Sequence, residues 1–263
     1  MSGRVAIVTG AGRGIGAAVA AALAADGWRV LAVDRCEDDP RLPYALATEA
    51  DLTAVAAAAE GAGQTVHAFK ADVSDAAAMA AAVVAAAELG DLEGVVANAG
   101  VIAGGGPAWE LDPERERAVL DVCLGGVIAT ARAAVPALLR RPTPRHGRFL
   151  ATSSAAATRG MPGLAAYCAA KAGVEGFVRG LAADLRGSGV TANAVSPGST
   201  RTPILDESAR LYGLDTAESF APQQPLDRLL DPSEVAALAA WALSPAADGV
   251  TGATLPVDGG LSL

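Results

Sequence analysis

The sequence predicts one α/β domain, a doubly wound and mainly parallel sheet in three layers, with helices on both faces. Short β-branched runs alternate with Ala-rich helical stretches, the order of repeated strand–helix–strand units. Of the residues, 52 % are hydrophobic but only 4 % aromatic, and 30 are glycine. Small side chains suit helices packed closely on a sheet. No repeat or low-complexity linker divides the 263 residues, so 1–263 reads as a single domain with a substantial core.

Residues 4–9 (RVAIVT) are a buried-strand candidate bounded by glycine. Gly10, Gly12, Gly14 and Gly16 follow at alternate positions, then an Ala/Leu/Val helix to about Asp26. Strand, glycine turn and helix make a phosphate cradle. The backbone can approach a pyrophosphate, and the helix start offers free N–H groups at a positive dipole end. A second strand, 29–33, ends at Asp34, where a carboxylate accepts from both adenosine ribose hydroxyls and repels a 2′-phosphate. Asp34 argues for NAD over NADP; Arg13 and Arg35 pull the other way. Residues 35–48 turn acidic and proline-bearing, a loop longer than most such connections and placed at the adenosine end.

A helix over 49–61 leads to a strand over 65–70, then to Asp72 and Val73. Another strand, from about Gly94, runs into Asn98, Ala99 and Gly100, whose small side chains leave room for a nucleotide. Asp112 and Pro113 start a helix that extends to Arg140, with a kink expected at Pro136. A strand over 148–152 ends in Ser153 and Ser154, and a loop with Gly160, Pro162 and Gly163 precedes the next helix. On that helix Tyr167 and Lys171, four residues apart, share a face. An ammonium near a phenol favours the phenolate and lowers its pKa, giving a proton donor and acceptor for near-neutral pH. A serine at the strand end can hydrogen-bond a substrate oxygen that gains charge. A strand over 190–195 precedes Pro197 and Gly198. Residues 199–225 read as irregular, with Ile204, Leu205, Leu211, Tyr212, Leu214 and Phe220 suggesting a lid over an apolar substrate. Trp109 and Met161 are further candidate pocket walls. Asp231 opens a last helix, and 254–257 a last strand.

Several function classes are disfavoured. A net charge of −9 argues against a nucleic-acid partner. No uninterrupted apolar run has the length of a membrane span, and the apolar run near the N-terminus is shorter than a signal peptide's. Three widely spaced cysteines without a CxxC fit a reducing compartment, so a cytoplasmic location is expected. Two distant histidines give no metal site.

Together these stretches resemble the short-chain dehydrogenase/reductase family in its compact form. Thr9 through Gly16 match TGxxxGxG, Asp72 the adenine-contacting acid, and Asn98 to Gly100 the NAG motif. Ser154, thirteen residues before Tyr167, has the spacing of the catalytic serine and is preferred to Ser153. Tyr167 and Lys171 match YxxxK, and Pro197, Gly198 and Thr202 match PGxxxT. The resemblance implies a Rossmann-like fold and hydride transfer between nicotinamide and an apolar secondary alcohol or its ketone. It makes Tyr167 the proton donor and acceptor, Lys171 its pKa-lowering partner and a ligand of the nicotinamide ribose, and Ser154 the carbonyl-orienting hydroxyl. It assigns NAD binding to Gly10, Arg13, Gly14, Ile15, Gly16, Asp34, Arg35, Asp72, Val73, Asn98, Ala99, Gly100, Tyr167, Lys171, Pro197, Gly198, Thr200 and Thr202. It also implies a homo-oligomer, a tetramer, with interfaces on the helices around 112–140 and 164–185.

One position departs from the family pattern: Cys123 stands where an asparagine usually holds a water of the proton relay. A thiol is a weak hydrogen-bond partner, so slower proton exchange is expected. The 35–48 insertion, with Val101 to Gly105 and Ser196 to Thr202, further resembles the mycofactocin-associated dehydrogenases. That implies a tightly held NAD whose electrons pass to mycofactocin. Two alternatives compete: an NADPH-dependent 3-oxoacyl-type reductase, and a non-catalytic NAD-binding protein of the same fold.

Overall fold

In the computed structural model, residues 3–263 are described. The chain runs through β1 (Arg4–Thr9), α1 (Gly14–Ala25), β2 (Arg29–Asp34), α2 (Glu49–Gly61), β3 (Thr65–Lys70), α3 (Ala76–Leu89) and β4 (Asp91–Ala97). It continues through α4 (Pro113–Leu120), α5 (Gly126–Arg140), β5 (Arg148–Thr152), α6 (Ala165–Asp184), β6 (Thr191–Pro197), α7 (Pro203–Leu211), α8 (Pro232–Leu243) and β7 (Thr254–Val257). The seven strands form one sheet in the order β3-β2-β1-β4-β5-β6-β7. All six pairings are parallel.

Strand alternation explains the three layers. Val5, Ile7, Phe149 and Ala151 point to a core shared with α3, α5 and α6. Ala6, Val8 and Leu150 point to the opposite core, with α1, α2 and α8. Because both faces are covered, β1 and β2 carry apolar residues at successive positions, Val5 to Val8 and Val30 to Val33, as expected for a parallel sheet. The expected doubly wound fold is present.

One local expectation gains a detail and one is corrected. The helix over 113–140 deforms at Asp121–Gly125, which winds as a π turn, and Pro136 lies inside α5. The extra residue of that turn carries Cys123 into the core beside Val101, where its Sγ donates to the Val101 carbonyl at 3.1 Å. The segment 199–225 is not irregular. Thr202 caps α7 by accepting the Leu205 N–H at 3.3 Å, Pro203 opens the helix, and Ala217–Gln223 adds a 3₁₀ turn. Tyr212 and Phe220 stack edge to face with ring centres 5.9 Å apart, and the Tyr212 hydroxyl donates to the Pro162 carbonyl at 2.6 Å. The helical run Pro113–Arg140 has the length and composition of a membrane span, but half of its most apolar window is buried inside the protein.

Phe149 is 1 % exposed at the centre of the first core. Phe149→Ala is expected to lower stability by about 3–5 kcal/mol, measured as a shift of the urea midpoint at constant m-value.

Candidate active site

The carboxyl ends of the strands open onto one cavity of about 640 Å³. All the sequence-predicted site residues line it except Gly16, which is buried behind the glycine turn. A Cβ on Gly16 would lie 2.0 Å from the Gly10 carbonyl oxygen, so only glycine lets the turn close there. Arg13, at the N-cap of α1, gives no side-chain cap, and the first turn holds no acidic residue. Uncapped N–H groups facing a cavity suit a pyrophosphate. The residues present therefore fit a dinucleotide.

At the adenosine end, Asp34 Oδ2 accepts the Gly12 N–H at 2.8 Å. A Cβ on Gly12 would sit 2.8 Å from the Ala47 Cβ and 3.1 Å from that carboxylate, so glycine turn, Asp34 and insertion meet here in close packing. The insertion 35–48 folds back over the site. Asp39, 2 % exposed, accepts from Arg35 Nη1 at 3.0 Å and from Arg41 Nε at 2.9 Å and Nη2 at 2.8 Å. Arg41 reaches on to Asp121 at 2.8 Å. The Tyr44 hydroxyl accepts the Ile102 N–H at 2.8 Å. Leu42, Tyr44 and Leu46 pack with Val73, Val101 and Tyr167. Arg13 donates to the Ala45 carbonyl at 2.9 Å, and Arg35 Nε stands 3.4 Å from Asp72. Both guanidiniums that favoured a 2′-phosphate are thus held by the protein's own acceptors.

At the other end, Lys171 is 3 % exposed and donates to the Thr152 carbonyl at 2.7 Å. Its Nζ lies 5.7 Å from the Tyr167 ring centre. Burial lowers the Lys171 ammonium from its ordinary value. Burial also pushes the Tyr167 phenol up, Cys123 acts in the same direction, and the Ser154 hydroxyl draws it down. The downward pull expected of Lys171 therefore does not dominate the phenol in this arrangement. Both Ser153 and Ser154 line the cavity, but Ser153 is 2 % exposed and its hydroxyl donates to Glu175 at 3.0 Å, whereas the Ser154 hydroxyl pairs with Tyr167.

Other expected site residues line the cavity and also tie its wall together. Asn98 Nδ2 donates to the carbonyls of Thr9 at 3.0 Å and Gly10 at 3.3 Å, and its Oδ1 accepts from Thr152 at 3.1 Å. Thr200 donates to the Gly198 carbonyl at 3.0 Å, and Thr202 to the Thr200 carbonyl at 3.2 Å. Met161 lines the cavity as expected; Trp109 does not, and is 84 % exposed. Sequence reasoning missed the Asp39 latch and the Tyr44 contact. The pattern Arg35-x-x-x-Asp39-x-Arg41 was the available signal for the latch. Nothing local marked Tyr44, whose partner is 58 positions away.

A family model described as enoyl-(acyl carrier protein) reductase matches residues 10–262. Cis-4-hydroxycyclohexanecarboxylate dehydrogenase of Sinomonas cyclohexanicum is 38 % identical over 262 residues, covering 98 % of this chain and 96 % of that protein. Carveol dehydrogenase from Mycobacterium avium, solved in complex with NAD, superposes with a TM-score of 0.92 at 32 % identity, covering 99 % of this chain and 98 % of that one. Actinorhodin polyketide ketoreductase, solved with NADPH, superposes with a TM-score of 0.88 at 32 % identity over 99 % of this chain and 97 % of that one.

The two guanidiniums hold the Asp39 carboxyl well below the usual carboxylate range, Arg41 contributing most. A depressed folded pKa means that stabilisation is complete above the unfolded value of about 4 and is lost as pH falls below it. Asp39→Asn is expected to cost about 3 kcal/mol at pH 7. The gap from wild type should narrow at pH 3, read from chemical denaturation at both pH values.

Proposed function

This chain belongs to the short-chain dehydrogenase/reductase family, an oxidoreductase family, and on that premise we propose that it is an NAD-dependent dehydrogenase of apolar secondary alcohols. The observation that carries the reading is the convergence of Ser154, Tyr167 and Lys171 on one cavity with the glycine turn and Asp34. When bound, NAD supplies the hydride acceptor. Tyr167 takes the proton of the alcohol oxygen, or returns it to the ketone. Ser154 donates a hydrogen bond to that oxygen and fixes its direction. Lys171, seated on the Thr152 carbonyl, holds a positive charge beside the phenol and would hydrogen-bond the nicotinamide ribose of a bound NAD. The lid segments α7 and Ala217–Gln223 close an apolar wall and exclude water. Support for an alcohol substrate comes from the two dehydrogenases named above.

Support for NAD over NADP comes from Asp34 and from the engagement of Arg13 and Arg35 within the protein. A phosphate placed against Asp34 juxtaposes like charges at several kcal/mol, so NAD is expected to bind the nucleotide-stripped protein about 100-fold more tightly than NADP. Asp34→Asn should shrink that ratio. Equal affinity of the wild type for both nucleotides would contradict it. Tyr167→Phe should lower kcat by about 10²–10⁴-fold while nucleotide binding is unchanged. A Tyr167→Phe protein with wild-type turnover would support the non-catalytic alternative instead.

A narrower reading rests on the insertion 35–48, whose buried Asp39 and Leu42 and whose Tyr44 contact seat it over the nucleotide end. We place the chain with the mycofactocin-associated dehydrogenases, with NAD held in place and mycofactocin as the electron acceptor. Purified protein should then carry NAD at one per chain and turn over only with an artificial acceptor dye. An empty protein active with free NAD would refute this. The reading also includes a cytoplasmic homotetramer, supported by three free cysteines and by the unburied half of the apolar window in Pro113–Arg140.

A further inference from the structure

Seven charged side chains line the cavity. Arg13, Asp34, Arg35, Asp39 and Asp72 belong to the nucleotide end, and Lys171 is sealed beside Tyr167. The seventh, Arg159, stands apart. Its N–H closes one helical turn after Ser154 by donating to the Ala155 carbonyl at 2.9 Å, and its Nη1 donates to the Leu261 carbonyl at 2.9 Å. Among the described residues no carboxylate pairs with its guanidinium. The lid acids Glu207 and Glu218 are paired with Arg210 and Arg201, and neither lines the cavity. The rest of this wall is apolar or neutral, with Met161, Pro162, Ile204, Tyr212, Leu261 and Gln223. One carbonyl occupies one of the five guanidinium donors. The remaining fork is exposed beside the apolar part of the cavity wall.

We infer that Arg159 reads an anionic group of the substrate, so that the preferred substrate is a secondary alcohol with an apolar body and a carboxylate several carbons from the reacting carbon. This rests on the dehydrogenase reading above and adds the substrate's second anchoring point. The guanidinium offers two parallel donors that match a carboxylate, and its methylene stem can lie along the apolar wall. Arg159 follows Ser154 by five residues and its guanidinium is held at the Leu261 carbonyl, so the two are separate anchoring points whose spacing a chain-length series reads.

The test uses the purified full chain with both free NAD and an acceptor dye present. Its substrates are racemic (ω−1)-hydroxy acids of increasing chain length, each paired with its methyl ester. Wild type should prefer at least one acid over its ester by about tenfold or more in kcat/KM, with a preference that falls as salt rises. Arg159→Gln keeps a donor for the Leu261 carbonyl but loses the charge. It should raise KM for that acid by at least about tenfold, leave the ester within about twofold, and abolish the salt dependence. Arg159→Lys should recover part of the preference. An acid-to-ester ratio that Arg159→Gln leaves unchanged, or wild-type turnover of esters alone, overturns the assignment and leaves the dehydrogenase reading standing. No turnover of any acid or ester overturns both.

Discussion

The side chain of Asn98 binds together the ends of three strands, and the geometry of the site depends on it. Sheet order reverses between β1 and β4, which places a crevice where those two strands part. Asn98 spans that crevice: its amide donates to Thr9 and Gly10 on one side, and its carbonyl accepts from Thr152 at the end of β5. The Thr9 hydroxyl accepts the backbone N–H of Asn98 at 3.0 Å and of Ala99 at 3.2 Å. The glycine turn is thereby fixed relative to Thr152, whose carbonyl seats Lys171. One hydrogen-bonded hub couples the glycine turn to Lys171.

From this hub the cavity divides by its electrostatics. Toward β2, carboxylates and guanidiniums pair with one another, and the insertion is held by charge-assisted bonds around a buried Asp39. Toward α6, a buried lysine and a half-buried tyrosine have no carboxylate partner among the described residues, and both carry shifts dominated by desolvation. Charge in the first region secures structure. In the second, burial makes each proton costly to misplace, which suits residues that must move one.

Much of this was legible from sequence because parallel sheets have strong local signatures. The strands over 4–9, 65–70, 148–152 and 254–257 and the helix over 49–61 fall where composition and capping residues put them. The motif residues line one cavity because successive parallel strands end on the same edge. What was not legible depends on partners far apart in sequence. The π turn at Asp121–Gly125 places Cys123 against Val101, 22 positions away, so no local signal marked it. Asn98 has a turn-like neighbourhood, and nothing in it announces a three-strand hub. Residues 203–211 carry a helical period in Ile204, Leu205 and Ala209, and the Thr202 cap and Pro203 mark where α7 starts, signals that the reading of 199–225 as irregular passed over.

The most direct measurement follows the hydride. Secondary alcohols carrying deuterium at the carbinol carbon are incubated with the purified protein, the protein is denatured, and the released nucleotide is weighed by mass spectrometry. Reduced NAD one deuterium heavier, formed by wild type and not by a Lys171→Met variant, is the result this account predicts. Ketone formed while the nucleotide stays unlabelled would contradict it.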